Sequence, residues 1–224
     1  MGEIISNSAH KTGEFLMRRA DRLTKFRSET SPALGAILGG TDEMWETTIL
    51  FGAEVLSDGL DGMDARAGAK LLGIETTDQG AIDDPAADKV LVNSTLLGLG
   101  SRYLRRQDYL GFGVLSLNYA VNKWWRDPRM AENREEALKI GYDPKAILSN
   151  KAKTAILLSG LGILVCPLAK QEQYKKIGLG LVSLGTITGI AGEKVFRRRV
   201  QNHKHALSAE MTAACPDKVT VSTI

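Results

Sequence analysis

Asp58-Gly59-Leu60-Asp61-Gly62-Met63-Asp64-Ala65-Arg66, followed by Gly80-Ala81-Ile82-Asp83-Asp84-Pro85-Ala86-Ala87-Asp88, is the stretch on which the reading of this 224-residue chain turns. Residues three or four apart share a helix face, so Asp58 pairs with Asp61 on one helix and Asp84 with Asp88 on the next. Two such helices packed face to face bring four carboxylates together. Carboxylates that close repel one another or take up protons unless a strong positive charge lies among them. Oxygen-only ligands suit hard divalent cations, and paired metals are a recurrent clamp for a transferring phosphoryl group.

The residues between the acids fit the same purpose. Gly62 and Ala65 leave one face of the first helix bare for a flat ligand, and Gly80 does so one turn before Asp84. Arg66 brings a permanent positive charge able to fork onto phosphate. The plain alternative is a pair of solvated acidic helix faces, the usual setting of charged side chains. The apolar flanks Ile49-Leu50-Phe51 and Val90-Leu91-Val92 argue against it.

The two segments together resemble the signature of the CDP-alcohol phosphatidyltransferase family, Asp-x-x-Asp-Gly-x-x-Ala-Arg followed by Gly-x-x-x-Asp-x-x-x-Asp, and match it at all eight fixed residues. The resemblance implies an all-α integral membrane bundle of six transmembrane helices preceded by an amphipathic surface helix, usually a homodimer. By it, Asp58, Asp61, Asp84 and Asp88 hold two divalent metal ions, Mg2+ or Mn2+, and Asp88 is also the catalytic base. Gly62, Ala65, Arg66 and Gly80 then line the pocket of a CDP-linked lipid such as CDP-diacylglycerol. The implied reaction moves a phosphatidyl group to an acceptor alcohol and releases CMP.

Two further segments are similar to the family. Asp21-Arg22-Leu23-Thr24-Lys25-Phe26-Arg27 resembles an Asn/Asp-x-x-Thr-x-x-Arg segment whose Asp21 and Thr24 would approach the nucleotide. Ser149-Asn150-Lys151-Ala152-Lys153-Thr154 resembles a Gly-Lys-x-Lys-Thr segment of phosphatidylglycerophosphate synthases. Lys151 and Lys153 would there suit a phosphorylated polyol such as glycerol 3-phosphate; equally, they are anchors at a membrane surface. The chain departs from the pattern between Arg66 and Gly80, where thirteen residues replace the usual eight or nine. Pro85 after Asp84 reads as an N-cap followed by proline at the first helical position, so the third helix is expected to start at the acids.

Hydropathy supports the membrane reading weakly. The chain is 43% hydrophobic with a mean hydropathy of -0.11, ordinary for a soluble protein. Its longest uncharged runs, Thr154 to Ala169 and Ile177 to Gly192, hold sixteen residues each. A spanning helix needs about 20, a gap that snorkelling lysines at the ends can close. Tyr109 to Asn122, Val90 to Ser101 and Thr30 to Thr41 are shorter. The count of six spans therefore comes from the resemblance.

Charge and composition complete the reading. In a six-span, multi-pass cell-membrane arrangement with both ends and the acidic site cytoplasmic, the amino-terminal segment and Lys194 and Arg197 to Arg199 give that side an excess of basic residues, partly offset by Arg102, Arg105, Arg106, Lys170, Lys175 and Lys176 opposite. A net charge of +3 with no basic patch interleaved with aromatics gives no case for nucleic acid. Two cysteines of different surroundings, Cys166 and Cys215, imply no bridge. Residues 1–27 are expected to form the amphipathic juxtamembrane segment, 28–200 the six-helix domain and 201–224 a disordered tail. The rival from another class is a non-catalytic metal-binding helical bundle, soluble or membrane-attached.

Overall fold

The computed structural model describes residues 2–74, 80–142 and 148–214, with side chains over 9–74, 87–142 and 152–209. Every element among them is helical: α1 (Gly2–Gly40), α2 (Met44–Leu72), α3 (Gly80–Arg105), α4 (Tyr109–Ala120), α5 (Asp127–Lys139), α6 (Leu148–Val165) and α7 (Glu172–Ala214). A π-helical segment, Val121–Arg126, joins α4 to α5, and a 3-10 turn, Pro167–Lys170, precedes α7.

Three boundaries differ from expectation. The amphipathic segment and the first bundle helix are one rod: Ser28, Thr30 and Ser31 bond back to carbonyls of the preceding turn instead of capping an end, and α1 runs through Pro32 to Gly40. Proline removes a single rung of the ladder, and packing against α2 and α3 on either side of Pro32 outweighs that loss. α3 starts at Gly80, one turn ahead of Asp84, so Pro85 lies inside the helix. α7 continues to Ala214, so the polar segment beginning at Gln201 is helical as far as the structure describes it. The extra link residues Glu75 to Asp78 lie outside the described residues.

Two half-bundles make up the molecule. In the first, α1 runs antiparallel to α2 and parallel to α3; in the second, α6 runs antiparallel to α7; α4 bridges them, packing chiefly on α3 and also on α7. Both are zipped by close backbone approach. A side chain at Gly98 would strike the Gly35 carbonyl, and one at Gly160 would come within 2.8 Å of the Val182 nitrogen. Leu34, Leu38, Phe51, Leu91, Leu99, Leu115, Leu157, Leu161 and Val182 form one continuous core across the halves. Beyond one end of it, Met130, Ala137, Phe196 and Val200 fasten α5 to α7 with Tyr142 packed beside them.

The turn after α3 is clipped at the opposite end. Asp108 caps α4 by accepting the Gly111 N–H at 3.0 Å and takes a 2.7 Å hydrogen bond from Lys175 at the start of α7. Desolvation alone would raise this carboxyl, but the bonds from Lys175 and Gly111 outweigh it and hold the Asp108 pKa below the ordinary range.

Candidate active site

Along the contact of α1 with α2, three polar pairs succeed one another at helical spacing. Thr24 donates to Asp61 at 2.9 Å, Arg27 pairs with Asp58, and Ser31 donates to Glu54 at 2.6 Å. The numbering falls on one helix as it rises on the other, as antiparallel packing requires. Each pair is therefore a consequence of register: positions 24, 27 and 31 share a face of α1, and 54, 58 and 61 share a face of α2.

Arg27 is the centre of the arrangement. Its side chain is fully buried, an expensive placement unless paired. Its guanidinium bonds Asp58, stands 3.3 Å from Asp61 and reaches to 3.7 Å from Asp88, which α3 brings in from the other side. Sequence reasoning quoted Arg27 as the end of a motif and counted it with the basic residues of the amino-terminal segment. The signal that finds it is the i, i+3 stripe continued one step from Asp21 and Thr24.

The remaining candidates divide by location. Gly62 is open: the nearest atoms to a Cβ there belong to the Arg66 guanidinium, 3.6 Å away, which lies over the bare helix surface. Ala65 is half-buried and Arg66 exposed on the same helix. Asp21 is exposed on α1, with Arg19 nearby paired to Asp64 at 3.1 Å. Lys153, at 9% exposure, packs near the start of α6. The backbones of Gly80 and Asp84 belong to α3 and that of Lys151 to α6, and the side chains of Asp84 and Lys151 lie outside the described residues.

A second polar seam approaches from the other half-bundle. Asn118 donates to Ser183 at 3.3 Å and Asn122 to Thr186 at 3.1 Å, while Arg126 donates to Asn122 and to Asp127, both at 2.9 Å. The seam ends at Gly189, where a Cβ would lie 2.8 Å from Arg126 Nη1 and 3.1 Å from Lys153 Cγ. Only a bare α-carbon lets both basic side chains lie against α7. α3, which carries Asp88, packs on α6, which carries Lys153, so the acidic and basic groups belong to adjoining helices.

The profile of the CDP-alcohol phosphatidyltransferase family matches residues 17–191 of the chain. The chain belongs to that family. Comparison with individually characterised proteins and with solved structures returned no match. CDP-alcohol phosphatidyltransferases are phosphotransferases for substituted phosphate groups, use a CDP-alcohol donor and an alcohol acceptor, and are generally dependent on divalent metal. The matched span takes in Arg27, both acid pairs and Lys153, and extends through α7 past Gly189.

The donor set fits such a metal in chemistry. Three acidic side chains supply oxygen only and already converge on one cationic group, the Arg27 guanidinium. Among the described residues, no three acids are gathered closely enough to hold an ion by themselves. The fourth acid of the signature, Asp84, is the one whose side chain lies outside them.

Proposed function

We propose that this family member transfers a phosphatidyl group from CDP-diacylglycerol to a phosphorylated polyol such as glycerol 3-phosphate, releasing CMP, with the two half-bundles supplying opposite ends of the reaction. The observation that carries this reading is the convergence of Asp58, Asp61 and Asp88 on one buried cation, together with a basic corner of Arg126 and Lys153 at Gly189, Lys153 being on α6, which packs on the helix that bears Asp88. Acids on α2 and α3 would hold divalent metal able to neutralise a pyrophosphate, and buried bases on the π segment and α6 suit the phosphate of an acceptor.

In this reading Asp58, Asp61, Asp84 and Asp88 hold two divalent ions, Mg2+ or Mn2+, which when bound neutralise the charge gathering on the departing CMP. Asp88 takes the proton from the acceptor hydroxyl as its oxygen forms the new bond to the lipid-bearing phosphorus. The bond from that phosphorus to the CMP oxygen breaks, and CMP carries off the electron pair. Gly62 and Ala65 admit the cytidine to the α2 surface, with Arg66 and Gly80 beside it, while Asp21 and Thr24 border the nucleotide from α1. Lys151 and Lys153, with Arg126, hold the acceptor's phosphate. Positioning and charge neutralisation supply most of the rate, as phosphoryl transfer requires.

The same reading makes the second half of α1, α2, α3, α4, α6 and α7 six membrane spans, with both ends and the site cytoplasmic and a homodimer as the working form. One helix among the described residues, Glu172–Ala209, is long and apolar enough to cross a membrane. The others are supported by their outward faces. Trp45, Ile49, Leu56, Leu60 and Met63 form one exposed stripe along α2, and Leu110, Leu117 and Trp124 another along α4 and the π segment. Stripes of that length are uncommon on surfaces facing water. Asp88 and Arg105 lie seventeen residues apart on α3, about 25 Å along its axis, a little short of a typical hydrocarbon core.

The test is CMP release by purified protein given CDP-diacylglycerol and each acceptor in turn. Turnover is expected with glycerol 3-phosphate and lost in Asp61→Asn at unchanged folding. No turnover with any phosphorylated polyol, or near-normal turnover in Asp61→Asn, overturns the assignment.

A further inference from the structure

The Arg27 guanidinium does not meet its acids as a purpose-built partner does. An arginine designed around carboxylates forks onto them with paired, parallel hydrogen bonds. Here Nη1 alone makes a hydrogen bond, to Asp58, while Nε and Nη2 make none although the side chain is fully buried. Its contacts to Asp61 at 3.3 Å and Asp88 at 3.7 Å are those of a charge held among charges. Those three acids are also among the ones the proposed function gives to the metal, and a guanidinium held against their oxygens both blocks and repels metal brought to the same oxygens.

From this we infer that Arg27 is a displaceable internal counter-cation: it keeps the acidic cage assembled when no metal is present and yields its carboxylates when metal enters. The inference rests on the metal reading of the proposed function and adds a residue outside the ligand set. Two features make the exchange practicable. Thr24 and Ser31, one turn to either side, keep their own bonds to Asp61 and Glu54, so α1 stays docked while one side chain moves. Ser31 also bonds the Arg27 carbonyl at 2.6 Å, which holds the backbone there independently of the guanidinium.

Arginine at this position should therefore cost metal affinity and provide metal-free stability. Removing the charge as Arg27→Gln leaves three acids uncompensated, and the metal becomes their only neutralising partner. Full-length protein in detergent, stripped with chelator, is titrated with Mn2+ alone and followed by electron paramagnetic resonance, with melting temperature recorded with and without the ion. Arg27→Gln is expected to bind Mn2+ at least ~ten-fold more tightly than the native chain, to melt lower without metal and to gain more from it.

Equal or weaker Mn2+ binding in Arg27→Gln, with the native chain still binding, overturns the inference and leaves the metal site standing. Failure of both chains to bind Mn2+ overturns the metal reading as well. Should Arg27→Gln fold only when purified with Mn2+, Arg27→Lys, which keeps the charge on a narrower head, is titrated instead: folding without metal and Mn2+ affinity within a few-fold of native support the inference, and loss of metal-free folding despite the retained charge overturns it.

Discussion

Gly189 carries a hydrogen where any other residue carries a carbon, and that vacancy is filled from two directions, by Arg126 and by the methylenes of Lys153. If those bases hold the acceptor's phosphate, a branched side chain here should push both off their positions while leaving the acids of α2 and α3 untouched. Gly189→Val is expected to raise KM for glycerol 3-phosphate several-fold or more with little change in KM for the CDP-lipid, as read from CMP release at varied concentrations of each. Equal effects on both substrates would detach the basic corner from the acceptor. At this scale the sequence was informative about charge and spacing. Asp58, Asp61 and Asp88 are brought together on the faces that helical periodicity assigns them. Arg27 is legible in the sequence as the last residue of a family-like motif in a basic segment but not as the partner of the acids, because spacing tells which face a side chain occupies and not which neighbour that face meets. Arg126 and Gly189 had no local signal at all: they meet through contact of the π segment with α7, more than sixty positions apart.

Among the elements, the crossing of α1 with α3 has the least room to spare. A Cβ on Gly98 would strike the Gly35 carbonyl, and one on Gly35 would meet backbone of Ser94, so neither helix can give without translating bodily. Gly98→Val is expected to destabilise the protein by about 1–3 kcal/mol, the usual cost of forcing atoms into a packed contact, seen as a lower melting temperature. Gly100→Ala, where the nearest side-chain atom is 3.9 Å away, should leave it unchanged and serves as the control. Of Gly98 and Gly100, and of Gly178 and Gly180, only the first of each is in tight contact, and Gly180 meets nothing within 4 Å. Positions two apart point to nearly opposite sides of a helix, so one of each pair had to face away. The start of α3 lies one turn ahead of the expected position because a proline is ambiguous there. Pro85 is compatible with a first-turn position and also with the sixth residue of a helix whose packing outweighs one missing bond.

For the whole molecule, the low mean hydropathy has a structural cause. The first half of α1, α5 and the end of α7 stand beyond the core and carry much of the charge, diluting an apolar bundle whose outer surface still shows Trp45, Ile49, Leu56 and Leu117. The protein is expected to remain in the membrane pellet after alkaline carbonate washing and to need detergent for release. Recovery in the soluble fraction would favour the non-catalytic bundle and remove the six-span reading. All-helical architecture was legible from the sequence through the signature and its resemblance. The number of spans was not, since runs of sixteen uncharged residues fall between a buried helix and a spanning one, and only outward exposure separates the two.

The π segment at Val121–Arg126 gives this architecture a phase adjuster. Its wider turn absorbs residues that an α-helix would convert into rotation, about 100° for each. Leu110, Leu117 and Trp124 can thus look outward on one stretch while Met130, Asn133 and Ala137 look inward on the next, with Asn133 within 3.3 Å of Glu193. Loss of one residue from the wide turn would swing all of α5 like a misset clock hand, carrying its inward side chains off α7 without altering a single one of them.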